Sequence, residues 1–282
     1  IKKIILSDYL AINLIDRVFD NPLLFTGFEN LFALFAYSLQ VYADFSGYTD
    51  IAIGIALLMG FYLPQNFDSP YKSQNPQEFW RRWHMSLSRW LKSYLYIPLG
   101  GNRKILGREV KDKVRAGNFN SFITMLLGGL WHGASWNFVI WGALNGAGMI
   151  VYKIWNKTNW HIKFSGITLI FIGVLVAQKA FQLPALNLFY VWILAIWIGA
   201  AIQYLRWCYK ALTKKSENVS SIFDKFSAKI GTCWAILQTF VFITFTRLFF
   251  RSGSNLDPAT ANQEAWETAK NMVNQIGGAW NS

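Results

Sequence analysis

The sequence predicts an all-α, polytopic transmembrane protein with broken or re-entrant helices and one amphipathic helix lying in the membrane interface. Three observations carry that expectation. The 282 residues are 53% hydrophobic and only 15% charged, where soluble domains carry about a quarter charged residues. The apolar residues come in blocks: residues 164–181 carry charge only at Lys179, and residues 186–205 and 230–246 carry none. A bilayer core roughly 30 Å thick needs about 20 such residues in a helix. Finally, 27 Lys+Arg against 15 Asp+Glu give a net charge of +12, and the basic excess gathers between the apolar blocks. Cytoplasmic loops of membrane proteins produce that pattern, which displaces nucleic-acid binding as the account of the charge.

The chain reads as a single membrane-embedded domain over residues 1–282. It shows no signal-peptide pattern and begins with Ile1 rather than Met, as a fragment would. Residues 4–19 predict a helix that Asp8, Asp16 and Arg17 make too polar for a span. Residues 31–63 read as two helices with a polar break at residues 44–50. Pro64, Asn66, Asp68 and Pro70 mark a loop.

The next helix is well signposted. Asn75 suits the N-cap, Pro76 the first helical position and Glu78 the third. Trp80, Trp83, Leu87, Trp90, Leu91 and Tyr94 then share a face at about 100° per residue, with Arg82 and Arg89 opposite and His84 at the stripe's edge. Trp facing Arg across a helix is the signature of the membrane interface. Pro98, Gly100 and Gly101 end it. The basic loop at residues 102–118 is placed on the cytoplasmic side.

Residues 122–130 and 135–155 flank a break at Trp131-His132-Gly133, which predicts a re-entrant or broken helix with His132 at membrane depth. Lys153, Lys157 and Lys163 mark a second basic loop, and Arg206, Lys210, Lys214, Lys215, Lys225 and Lys229 a third. With all three loops cytoplasmic, residues 122–155 go in and return, and residues 164–181 and 186–205 form a hairpin turning at Gln182-Leu183-Pro184. Residues 258–276 read as a short surface helix.

Three histidines occur: His84, His132 and His161. His161 sits in a polar loop and reads as solvated. An ionisable group at membrane depth is costly and is by default a functional candidate. Desolvation favours the neutral imidazole that a general base needs, so His132 is a candidate base. A histidine hydrogen-bonded at a helix break explains these residues equally well. His84 has the plainer explanation of a boundary residue, and becomes a site residue only if it lies near His132. Arg81, Arg82, Arg89 and Lys92 suit the phosphates of a donor cofactor or, with slightly more weight, anionic lipid headgroups. Asp44 and Asp50 fit a structural network with Ser46, Tyr48 and Thr49. No metal-ligand set, glycine-rich phosphate loop or serine nucleophile elbow is present, and Cys208 and Cys233 have neither metal nor disulfide spacing.

Tyr42-Ala43-Asp44-Phe45-Ser46-Gly47-Tyr48-Thr49-Asp50, Phe79-Trp80-Arg81-Arg82-Trp83-His84-Met85-Ser86-Leu87-Ser88 and Gly128-Gly129-Leu130-Trp131-His132-Gly133-Ala134 together resemble the membrane-bound O-acyltransferase (MBOAT) family. The nearest branch is the bacterial alginate O-acetyltransferase type, with the teichoic acid D-alanyl transferases as cousins. Leu99-Gly100-Gly101 and Leu248-Phe249-Phe250-Arg251 also look like that branch. The resemblance covers nearly the whole chain and corresponds to the C-terminal part of such proteins, without their N-terminal spans.

The resemblance implies a multi-pass enzyme of the bacterial inner membrane. It would move an acetyl or other acyl group from a cytoplasmic thioester donor, such as acetyl-CoA, towards hydroxyls of an extracytoplasmic polysaccharide such as alginate. No permanently bound cofactor, metal or nucleic acid is implied. The position of His132 is the family's catalytic residue and that of His84 its second site residue; Arg81 and Arg82 are the candidates for holding the donor. A periplasmic acetyltransferase partner that finishes the transfer is also implied. Peptidoglycan, cellulose, teichoic acid or a lipid alcohol remain open as acceptors. A transporter with His132 and Asp44 along its path is the rival of another class; the interfacial Trp/Arg helix and the lack of a repeat between the two halves weigh against it.

Overall fold

A computed structural model describes residues 1–213, 222–252 and 261–278. Among the described residues the fold is helical, apart from a small hairpin in which Lys104–Ile105 (β1) pairs antiparallel with Arg108–Glu109 (β2). Five described helices have segments long and apolar enough to cross a membrane: Gly27–Leu58, Trp136–Lys157, Trp160–Phe181, Pro184–Cys208 and Ala228–Ser252. The protein is an all-α, multi-pass membrane protein. The third basic run falls partly outside the description: Lys214 and Lys215, and the side chains of Lys210 and Lys225.

The chain opens with four short helical pieces laid end to end, Lys2–Ser7, Asp8–Leu10, Ala11–Ile15 and Asp16–Asp20. After a turn at Pro22 comes α1, Gly27–Leu58, started by a capping box in which Thr26 and Glu29 satisfy each other's backbone N–H groups. The polar break expected at residues 44–50 is absent, and α1 runs through as a single helix. The reason is that Asp44, Thr49 and Asp50 find partners without opening the backbone. Lys3 pairs with Asp44, and Lys2 with Asp50 at 2.8 Å. Thr49 Oγ1 donates back to the carbonyls of Phe45 and Ser46 at 3.1 and 2.9 Å. The hydrogen bond to Asp50 holds the Lys2 ammonium pKa above its ordinary range.

The expected interfacial helix is also corrected, in the opposite sense. It is two helices, α2 (Pro76–Arg82) and α3 (Met85–Leu91), separated by a reversal at Trp83-His84. The Asn75 cap is present, accepting from the Glu78 N–H at 2.8 Å. Because of the reversal the apolar stripe is divided. Trp83 is buried with Phe79 and Ile243, while Trp90 and Tyr94 remain exposed. A helix wholly in the interface would keep all its tryptophans at the headgroup level.

The basic loop forms the β1–β2 hairpin and then the start of α4 (Lys113–Trp131), whose first turn is capped by the Asp112 carboxylate accepting from Val114 and Arg115 N–H groups. α5 (Trp136–Lys157) follows after a break capped by Ser135. The backbones of α4 and α5 nearly touch. A Cβ on Gly129 would stand 2.3 Å from the Phe138 carbonyl oxygen, and one on Gly142 would stand 2.5 Å from that of Met125. Small residues allow such close packing between membrane helices.

α6 (Trp160–Phe181) and α7 (Pro184–Thr213) form the expected hairpin, turning at Gln182, whose φ is 48°. His161 lies in the first turn of α6 rather than in a loop, exposed as expected, with Nδ1 2.9 Å from the Tyr204 hydroxyl. α8 (Ile222–Ser252) and α9 (Ala261–Gly278) complete the fold. The expected surface helix at residues 258–276 is corrected here too; Pro258 lies outside the described residues. Ala265, Ala269, Met272 and Ile276 recur at helical spacing and are at most 2% exposed. The last three join Leu34, Tyr37 and Leu248 in the main core.

Candidate active site

His132 follows the last residue of α4, and its own N–H still donates to the Gly129 carbonyl at 2.9 Å. Gly133 must follow, since a Cβ there would sit 2.6 Å from the Phe138 ring. The imidazole is walled by aromatic edges: Trp131 and Phe250 at 4.9 Å between centroids and Trp141 at 5.2 Å. Its ring nitrogens have no hydrogen-bond partner among the described residues. α5 is anchored beside it by Asn137, which donates to Ser252 Oγ at 2.7 Å and to the Ala265 carbonyl at 3.1 Å. Three helices therefore fix the His132 break.

His84 occupies the reversal between α2 and α3 with φ 42° and ψ 59°, left-handed geometry that a non-glycine residue adopts at a cost of about 1–2 kcal/mol. The loop at residues 66–68 holds the backbone there. Met85 N–H donates to the Asn66 carbonyl at 3.0 Å, Ser86 N–H to Asn66 Oδ1 at 3.1 Å, and Asp68 N–H to the Arg82 carbonyl at 3.0 Å. The His84 ring stands edge-on to Phe45 at 4.6 Å. Burial lowers its pKa below the ordinary imidazole value, because desolvation disfavours the charged ring.

These two histidines, 48 positions apart in the chain, line the same cavity of about 450 Å³. The described residues around it include Arg81, Lys92, Lys153 and Arg247 and no carboxylate. The two candidate arginines are separated. Arg81 lines the cavity, whereas Arg82 turns aside to Glu78 at 2.8 Å and Asp68 at 3.5 Å. His161 does not line the cavity. Asp44 and Asp50 are held by Lys3 and Lys2 and do not line it either.

Sequence reasoning missed Arg247, which lies in α8 only 6% exposed, and Asn145, which is fully buried and bridges Trp80 Nε1 to the Trp141 carbonyl. For Arg247 a signal existed. The charge-free block ends at residue 246, yet the apolar helix runs on to Ser252 and carries the arginine inside it. Lys153, read as a loop cation, lies within α5 and faces the cavity.

Among the described residues, a cavity among apolar helices thus combines two imidazoles without hydrogen-bond partners, four cations and no carboxylate, an arrangement able to accept a proton and to attract an anion. Comparison with known proteins makes that arrangement specific. Residues 3–193 match the model of the membrane-bound O-acyltransferase family, and the chain belongs to that family. It is 50% identical over 159 residues to a probable alginate O-acetylase of Pseudomonas putida, covering 54% of this chain and 30% of the relative. It is 44% identical over 164 residues to the peptidoglycan O-acetyltransferase of Helicobacter pylori, covering 58% and 29%. To the teichoic acid D-alanyltransferase of Bacillus subtilis it is 34% identical over 132 residues, covering 46% and 33%. The chain thus spans about a third of the length of these relatives.

Proposed function

We propose that the whole protein is a membrane O-acyltransferase that moves an acetyl group from a cytoplasmic thioester, acetyl-CoA or a relative of it, towards hydroxyls of an extracytoplasmic polysaccharide. The bacterial inner membrane is its place of work, and a periplasmic acetyltransferase partner completes the transfer. The observation that carries this reading is the pair of unengaged histidines in one cation-lined, carboxylate-free cavity. Family membership weighs against a transporter.

In this reading His132 is the base. Neutral imidazole takes the proton from an acceptor hydroxyl as its oxygen attacks the thioester carbonyl carbon. The new C–O bond forms, the carbonyl electron pair moves to oxygen, and the C–S bond breaks as the tetrahedral intermediate collapses. The proton on His132 passes to the departing sulfur, leaving an ester and a free thiol. His84 lies in the same cavity and orients the acceptor. Arg81, with Lys92 and Lys153, supplies cations for the donor's phosphates, and Arg82 has only a structural part. Aromatic walls keep water from hydrolysing the thioester.

The name of the alginate relatives favours a uronic acid polymer as acceptor; the H. pylori and B. subtilis relatives make peptidoglycan and teichoic acid the second choices. The test incubates membranes containing the full-length protein and its periplasmic partner with radiolabelled acetyl-CoA and each polymer in turn. Label in one polymer, lost in His132→Ala with membrane insertion intact, is the expected result. Undiminished transfer by that variant overturns the assignment.

A further inference from the structure

Resting on the acyl-transfer reading, we propose that Arg247 is a catalytic residue: it receives the negative charge that develops on the thioester carbonyl oxygen. The case begins with a contrast inside α8. Arg251 pairs with Asp16 at 2.9 Å. Arg247, about one turn earlier, has no carboxylate partner among the described residues. Its contacts are the Trp83 ring face at 4.2 Å from the guanidinium carbon, the Tyr71 ring at 5.8 Å and a long hydrogen bond to the Ser38 carbonyl at 3.5 Å. A buried permanent charge without a counter-ion is expensive in a membrane interior. Ring faces return only part of the hydration it loses.

Its placement says what the charge is for. Arg247 lines the same cavity as His84 and His132. Phe250, three residues further along the same helix face, packs against the His132 ring. Trp83, beneath the guanidinium, is the residue before His84. The cation therefore shares the cavity wall with both histidines, seated on the residue before one and one helical turn from the ring that packs on the other. Arg81 and Lys92 are exposed and Arg247 is not, so the cations divide by depth. The outer ones suit the donor's phosphates, and the inner one meets the part of the donor that reaches the histidines, the acyl thioester itself.

A guanidinium suits this position chemically. It carries five N–H donors and never releases a proton at working pH, so it does not compete with His132 for the acceptor's proton. During attack the carbonyl π pair becomes a full charge on oxygen beside it; on collapse that pair reforms the carbonyl and expels the thiol. Fixed donors aimed at such a charge act mainly on the transition state.

The experiment measures initial rates of acetyl transfer by the full-length protein in proteoliposomes, with its periplasmic partner present, acetyl-CoA varied and polysaccharide saturating. Binding of a non-hydrolysable CoA thioether is measured alongside. Arg247→Gln is expected to lower kcat by about 10²–10³-fold, with thioether affinity and the shape of the pH–rate profile unchanged. Arg247→Lys, which keeps the charge but not the planar fork, should recover part of that loss. A kcat within a few fold of wild type in Arg247→Gln overturns the proposal, as does a loss confined to thioether affinity, which makes Arg247 a donor anchor. If the glutamine variant fails to insert, Arg247→Lys decides alone: a wild-type kcat overturns the proposal and a fall of tenfold or more supports it. A wild-type protein that transfers no acetyl group overturns the acyl-transfer reading instead.

Discussion

Two helical hairpins of similar length in this protein are joined in opposite ways. α4 and α5 meet backbone to backbone, with Gly129 and Gly142 each set against a carbonyl of the other helix. α6 and α7 meet through broad rings: Phe171 stacks on Trp197 at 5.4 Å and Phe164 on Tyr204 at 4.8 Å. The first arrangement leaves no slack, and His132 lies at its tip. The second leaves Leu169, Ile170, Ile172 and Val176 pointing outward with nothing of the described protein over them, as suits a hairpin solvated by lipid. On the proposed acyl-transfer reading, chemistry belongs where the backbones touch, because a catalytic geometry tolerates errors well under 1 Å. A hairpin whose role is to occupy membrane tolerates more.

The largest expected effect comes from forcing the tight hairpin apart. Gly129→Val should cost about 1–3 kcal/mol through overpacking and lower acetyl transfer at least ~10²-fold by displacing His132. Thermal unfolding in detergent and transfer assays on the same preparation check both, and a variant with normal activity breaks the comparison. His84→Gly comes next, because it separates ring from backbone. Removing the imidazole should lower transfer ~10²-fold, while relief of the left-handed backbone should raise stability by about 1 kcal/mol. If stability falls instead, the ring is holding the reversal together.

The neighbouring arginines give a smaller contrast. Arg81→Gln should raise the KM for acetyl-CoA about 2–5-fold, what an exposed ion pair is worth. Arg82→Gln should leave that KM alone and cost about 0.5–1 kcal/mol by releasing Glu78 and Asp68. Equal effects on KM would erase the distinction drawn between them. The smallest effect belongs to the outer hairpin. Gly173 has open space around its Cβ direction, so Gly173→Ala should leave transfer unchanged and add up to about 1 kcal/mol of stability.

Much of this was legible in the sequence because hydrophobic periodicity is a local signal. The hairpin of α6 and α7, the Asn75 cap and the break at His132 follow from residues close together in the chain. The errors arose where a distant residue supplied a partner. α1 stays unbroken because Lys2 and Lys3 reach Asp50 and Asp44 from more than 40 positions away. The helix after Asn75 breaks because the backbone of residues 66–68 captures its middle, which no periodicity reports. The sequence suggests a surface helix at residues 258–276, but α1, α7 and the N-terminal segment close over α9. The site was half visible. Each histidine could be named separately, but their sharing of one cavity is a tertiary fact, and Arg247 was concealed by the apolar residues around it.

The absence of carboxylates among the described residues around the cavity also acts before any contact is made. Arg81, Lys92, Lys153 and Arg247 sum to a field that low-dielectric walls concentrate towards the opening, and such fields raise the local concentration and arrival rate of oppositely charged molecules. Dissolved salt weakens that attraction over a Debye length of about 8 Å at physiological ionic strength, while Arg247, buried against Trp83, is largely sheltered from it. Encounter should therefore depend on salt and turnover should not: an anionic ligand is selected by charge at the entrance, and by shape and reactivity only further in.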